Sequence, residues 1–339
     1  MASEATSFSE ELGHFVRADE WATQGQSSYV LAVRALEEGR DTDAVALARM
    51  TAQEALEAYE LYAQWLTQLP ELLSRAGLPN SELAKLGFDP VDARATLDAG
   101  WRDYLFLIDE FEEQARQSST EGAAETLERA RLTWLAAHDP ALKQLAAMFT
   151  VGSGALGETV TGWLWDELLK DYYSRIADRY DPSANPWESS VIRLGLDAFE
   201  AVRGHLTGLE RDGAFEVVEE PDRWVLRFAP CGSGGRTYPS IDDPGISPDG
   251  FTSGEHDWAW RTKGVCLYCA HCCQLQQRAP IEQIGIPLRV IQPPVRSDSG
   301  EPATAVCTWS IYKDPAHIPA SAWTAVGAVP PAWAQDRDN

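Results

Sequence analysis

Apolar residues recur at intervals of three and four through Asp41–Leu69 and Val91–Arg116, with few glycines or prolines, the periodicity of amphipathic helices. Further helices are expected over 5–38, 120–137, 156–179 and 187–210. Breaks are expected where helix-stopping residues cluster, at Leu78-Pro79-Asn80, Asp139-Pro140, Gly152-Ser153-Gly154 and Asp181-Pro182. The pattern predicts a bundle of six or seven helices.

Beyond residue 212 the period changes. Ala214-Phe-Glu-Val-Val-Glu-Glu and Arg223-Trp-Val-Leu-Arg-Phe-Ala alternate about Pro221-Asp222, which predicts a β-hairpin, and two more strands are expected at Ile286–Ile291 and Ala303–Tyr312. Between them a Gly- and Pro-rich stretch, 231–258, has no periodicity, so something other than its own packing must pin it. The fold class expected is therefore α+β: a helical domain over 1–212, a Cys-rich metal-binding domain with a small antiparallel sheet over 213–334, and a disordered tail over 335–339.

Composition sharpens that division. Residues 1–220 carry 40 of the 52 acidic and 18 of the 28 basic residues, whereas fourteen of the 20 prolines and all six cysteines follow position 220. The formal charge of -24 and a pI near 4.6 disfavour nucleic acid and anionic membrane surfaces, whose binders need clustered Lys and Arg. The first residues, MASEATSFSEELGHF, lack a basic segment followed by an apolar run, so a cytoplasmic protein with a small-molecule partner is expected. A composition rich in Ala, Arg and Trp with little Lys is that of high-GC bacteria, and a role in specialised metabolism is expected on that ground.

The chemistry concentrates in Cys266-Leu-Tyr-Cys269-Ala-His271-Cys272-Cys273. Two residues between thiols let a tight turn aim both sulfurs at one centre, and repeating the interval brings a third. Three corners of a [4Fe-4S] cubane are held in this way, with the fourth ligand supplied from elsewhere. Cys231 is the expected fourth ligand, because the glycines of Pro230-Cys-Gly-Ser-Gly-Gly-Arg236 let the backbone approach a cofactor closely and expose amides toward its sulfide. His271, Cys273 and Cys307 are further possible ligands. No Cys-Pro follows as in ferredoxins, and zinc also accepts four cysteines or three with a histidine, so both metals stay open; the spacing favours the cluster.

Just upstream, Glu255, His256 and Asp257 offer two carboxylates and an imidazole on a loop beside the cysteines, and they are the expected catalytic residues. Arg236, Arg261 and Lys263 flank the cysteines and are expected to offset thiolate charge, with an anionic substrate or a nearby carboxylate as the alternative partner. Trp258 and Trp260 are candidates for lining a pocket, and Arg131, His138, Asp139, Asp166, Glu167 and Tyr173 are polar groups on helices that either face a cleft between the two regions or, for most of them, belong to solvated faces. Gly152-Ser-Gly154-Ala-Leu-Gly157 matches a dinucleotide fingerprint but follows a helical pattern where a strand is needed. Glu11-x-x-His14 would be half of a di-iron carboxylate site, and neither His138 nor His205 has the Glu that a second half requires.

The expected function is a metalloenzyme acting on a small organic substrate at the junction of the two regions. The alternative is a non-catalytic protein in which metal closes the later domain or senses redox state, with the acidic bundle as a partner surface.

Overall fold

The computed structural model describes residues 3–117, 120–237, 250–296 and 306–335. The chain opens with a hairpin instead of the helix expected from residue 5: β1 (Thr6–Ser9) and β2 (His14–Arg17) pair antiparallel, and Gly13 before β2 takes a positive φ of 76°. Hydroxyl, β-branched and aromatic side chains in both stretches suit a pleated surface, and Phe8 meets Phe15 edge-on across the pair, 5.7 Å between ring centres. The helical part of 5–38 is α1 (Ser28–Glu37), which starts behind Ser27; the Ser27 hydroxyl accepts from the Val30 amide at 3.3 Å.

The bundle continues through α2 (Asp41–Arg75), a short α3 (Asn80–Leu83), α4 (Pro90–Arg116) and α5 (Thr120–Leu156). The expected breaks at Asp139-Pro140 and Gly152-Ser153-Gly154 do not occur, since α5 runs through both, just as α2 runs through Pro70. A proline inside a helix removes one backbone bond, but close packing holds α5 in line. A Cβ on Gly100 of α4 would lie 2.5 Å from that of Ala137, and one on Gly152 would lie 2.5 Å from Leu73 of α2. Tertiary contact overrides the local breaker. The breaks around Pro79 and Pro182 are present. The span expected as one helix over 156–179 is three pieces, α6 (Thr159–Leu168), α7 (Lys170–Tyr173) and α8 (Ile176–Tyr180), and α9 (Trp187–Gly204) follows.

Strands β3 (Glu216–Glu219) and β4 (Arg223–Phe228) form the expected hairpin. The chain then passes α10 (Ala270–Cys273), one π-helical turn at Gln274–Arg278 and α11 (Ala279–Ile284) before β5 (Val290–Gln292) and β6 (Cys307–Tyr312) complete an antiparallel sheet of order β3-β4-β6-β5. Short helices α12 (Ser321–Thr324) and α13 (Ala332–Gln335) follow. Residues 303–305 of the expected last strand, 238–249 of the loop and 336–339 of the tail lie outside the described residues.

The protein is thus mixed helix and sheet, with one small four-stranded antiparallel sheet beside the helices. One continuous apolar core runs from Leu66, Phe149 and Phe199 in the helices to Phe228, Trp309 and Ile311 in the sheet, across the boundary near residue 212. No described helix is long and apolar enough to cross a membrane.

Helices α2 and α9 are fixed to each other by a buried ion pair. Arg203 Nε donates to Glu54 Oε1 at 2.6 Å, Ser28 Oγ donates to the same oxygen at 2.8 Å, and both charged side chains are 2% exposed. Gly204 lies so close to the Glu54 carbonyl that a Cβ there would overlap it. Removing one partner of a pair this deep strands the other charge. Glu54→Ala is therefore expected to lower the unfolding free energy by about 3–5 kcal/mol in urea melts. Glu38→Ala, which breaks an exposed pair with Arg40, should change it by no more than about 0.5 kcal/mol. Equal effects would show that the α2–α9 pair does not have this role.

Candidate functional site

Between α2, α8, α9 and the sheet lies a cavity of about 160 Å³, a size at which cavities accept a benzene-sized molecule. Its walls are largely apolar, from Leu61 and Trp65 of α2, Val202 of α9, and Ile291 and Trp309 of the sheet. Cys231, Cys269, Cys272 and Cys307, from three separate segments of the chain, also line it. All six cysteines are free thiols.

Cys231 follows the end of β4, and its loop is clamped to the end of α9. The Gly232 amide donates to Thr207 Oγ1 at 3.0 Å, the Gly208 amide donates to the Pro230 carbonyl at 3.1 Å, and a Cβ on Gly232 would overlap the His205 carbonyl. Burial pushes the Cys231 thiol up, and the backbone amides of Gly235, Ser233 and Gly234 in the turn that follows pull it back.

Cys269 and Cys272 sit on the turn into α10, where the Cys272 amide donates to the Cys269 carbonyl at 3.0 Å. Behind them Cys266 is buried in a bridge to Phe251 and hydrogen-bonds the Cys269 thiol, which that bond and burial together hold well above the ordinary thiol range. Gly234 packs on the Cys269 sulfur so closely that any Cβ would overlap it. Cys307 and Trp309, two apart on β6, share the face that carries Phe228 and Leu226 of β4. Burial holds Cys272 and Cys307 well above the ordinary thiol range too.

His271 Nδ1 donates to the Tyr268 carbonyl at 2.7 Å, which fixes the ring and leaves Nε2 as an acceptor 3.2 Å from the Cys272 sulfur. Burial pushes this imidazole down to about 4, so it is neutral. Cys273 faces the other way, toward the Trp260 amide at 3.4 Å and the Asp257 carbonyl at 3.6 Å. Among the described residues no group of three or more His, Cys, Asp or Glu side chains is disposed, as it stands, to hold a metal ion.

The expected catalytic residues are not brought to the cavity. His256 Nε2 lies 2.6 Å from Glu158 Oε2, its ring stacks on Trp258 at 4.6 Å, and the same carboxylate accepts from the Ser253 and Gly254 amides, so His256 helps staple its loop to the start of α6. Glu255 is exposed, and Asp257 pairs with Arg261 at 2.6 Å. Of the two tryptophans expected at a pocket, Trp260 lines the cavity, whereas Trp258 packs on Gly162.

In their place the cavity wall carries His205, at the end of α9. Its Nδ1 lies 2.9 Å from His138 Nε2, and His138 Nδ1 lies 2.9 Å from Asp139 Oδ1. Arg211 donates to both oxygens of Asp139, at 2.8 and 2.9 Å, and Arg236 lies 3.9 Å from it. Burial alone would raise the Asp139 carboxyl, but His138 and Arg211 hold it well below the usual carboxylate range. Tyr62, Ser233 and Tyr268 form a triangle of buried hydroxyls, 3.0 to 3.3 Å apart, and Tyr62 also contacts His205 Nδ1 at 3.3 Å. The sequence offered Asp139 and His138 only as polar positions on a helix, and His205 only as a residue without a partnering Glu.

Fold and cavity together define a mixed helix–sheet protein in which four thiols and two imidazoles line one cavity. No known protein family, curated protein or solved structure matches the chain.

The close approach at Gly234 is directly testable. Gly234→Ala should displace the Cys269 sulfur and destabilise the protein by about 1–3 kcal/mol, the usual range for overpacking, in thermal melts. Gly154→Ala, at a helical position with open space around it, should not destabilise. A Gly234→Ala protein with unchanged stability would mean that the loop does not sit against Cys269.

Proposed function

We propose that this protein is a metalloenzyme acting on a small organic substrate, with a thiolate-held metal centre at the cysteine end of the cavity. The observation that carries the reading is the donor set around Cys231. A neutral thiol is a weak acceptor, yet the backbone amides of Gly235, Ser233 and Gly234 favour the charged form of this sulfur, and the cavity's thiols belong to three separate segments. That arrangement suits thiolates. Burial keeps these groups protonated in the metal-free protein, so a cation is what would let them ionise, releasing their protons on binding.

Cys231, Cys269 and Cys272 would hold the centre, with Cys266, beside Cys269, or Cys307, across the cavity, as the fourth ligand. The side chains would have to close from their present positions to do so. An iron–sulfur cluster is favoured over zinc by the Cys-x2-Cys-x2-Cys spacing and by the amides available to its sulfurs. Bound there, the group would supply either electron transfer or a Lewis acid to the cavity. This chain's own residues do the rest. Leu61, Val202 and Ile291 exclude water and seat an apolar body, Trp260 closes the side toward α10, and His271 is held neutral beside Cys272.

The test is metal analysis with absorbance on anaerobically purified protein. A brown protein absorbing at about 400 nm is expected for a cluster, whereas a colourless protein with stoichiometric zinc would select the other metal. Cys231→Ser and the double variant Cys269→Ser/Cys272→Ser should lose the metal, and Cys273→Ser, whose thiol faces away, should keep it. Full metal content in the double variant, or none in the unaltered protein, would sink the proposal.

A further inference from the structure

The chain of Asp139, His138 and His205 fixes where protons sit. Asp139, held ionised by Arg211, can only accept, so His138 Nδ1 must carry the proton between them. A neutral His138 then presents a lone pair at Nε2, and the nitrogen 2.9 Å away, His205 Nδ1, must be the donor. It follows that a neutral His205 carries its lone pair on Nε2. That atom makes no hydrogen bond to the described residues, and it belongs to a ring that lines the cavity.

We propose that His205 is the proton acceptor of this cavity, with His138 and Asp139 as the positioning residues behind it, and that its substrates are small organic molecules whose reacting atom bears an acidic proton. The inference rests on the cavity being the seat of the reaction proposed above. In the step, a substrate X–H bond breaks, its electron pair stays on the substrate atom, and the proton bonds to Nε2. The imidazolium that forms shares its charge inward: His205 Nδ1–H strengthens its bond to His138, and His138 Nδ1–H its bond to Asp139. No electron leaves or enters the protein in this step.

Geometry distinguishes this unit from ordinary buried polar clusters. Every internal atom of the chain is paired, from the two Arg211 contacts to His205 Nδ1, and one ring nitrogen at its end is left for something in the cavity. Burial, the other two imidazoles and Arg211 keep His205 neutral in the resting protein, well below its ordinary value, with Asp139 pulling the other way. Its lone pair is therefore available near neutral pH. The groups facing it are His138, His271, Arg211, Asp139 and the hydroxyl of Tyr62.

The experiment is long-range 1H–15N correlation on the full chain with 15N-labelled histidine, recorded on the protein as purified and again after chelation, with His205→Gln and His138→Gln for assignment. The expected spectrum has the His205 proton on Nδ1 and a bare Nε2. Asp139→Asn, which removes the charge that orders the chain, should shift the His205 tautomer ratio toward Nε2–H. A proton on Nε2 of His205 in the unaltered protein would overturn the assignment, and so would an Asp139→Asn protein with the His205 tautomer unchanged. If Asp139→Asn fails to fold, the unaltered spectrum still decides between the two tautomers. Metal content measured on the same samples separates this outcome from the metal reading, because either can fail while the other stands.

Discussion

Everything at the site depends on one close approach, that of the loop Cys231–Gly235 to the C-terminal end of α9. Gly232 lies against the His205 carbonyl, its amide is held by Thr207, and two residues later Gly234 lies against the Cys269 sulfur. Side chains at either glycine would push the sheet away from the bundle. With glycine at both, backbone touches backbone on one side and sulfur on the other. The thiol of Cys231, the turn carrying Cys269 and Cys272, and the imidazole of His205 are thereby brought to one space.

That contact also explains why the space has both apolar walls and polar groups. The apolar core is continuous from helices to sheet around the cavity. Several polar groups that enter it come with partners, whereas the Trp65 and Trp309 indole nitrogens and Arg289 Nε are buried without one among the described residues. Asp139 has Arg211 and His138, Tyr62 has Ser233 and Tyr268, Gln277 Oε1 takes the Trp260 indole N–H at 2.7 Å and the Ile291 amide at 2.9 Å, and Arg289 reaches Gln276 and Asp197. A buried polar network is tolerable only when its members are satisfied. In such a medium burial acts on thiols and imidazoles alike by disfavouring their charged forms, which leaves both kinds of group neutral until something binds.

The long helices and the hairpin about Pro221-Asp222 were legible because their periods are strong and local. What local pattern could not supply was the outcome of packing. Pro140 reads as a stop, and α5 passes it because Ala137 beside it nests on Gly100. That misreading had a cost at the site, since a helix broken at Asp139 gives no reason to carry His138 and Asp139 toward α9. The cysteines were the opposite case. Cys266, Cys269 and Cys272 declare themselves by spacing, and Cys231 by its glycines. Cys307 was ambiguous because alternation on a strand says which face a residue shares, not what that face meets.

The two histidine–carboxylate arrangements show why proximity in sequence misled. His256 lies within sixteen residues of three cysteines and has acids on both sides, yet its own carboxylate partner is Glu158, ninety-eight residues away, and that oxygen pair is already engaged by the Ser253 and Gly254 amides. The unit is complete without a ligand and serves to hold a loop. His205 is far from the cysteines in sequence and has no neighbouring acid, but its carboxylate acts through a second imidazole and is itself anchored by an arginine. The difference lies in how each unit ends. A histidine that closes a loop ends on protein groups; one that serves a cavity is satisfied on its inner nitrogen and open on its outer one. Of the two, His205 meets that condition.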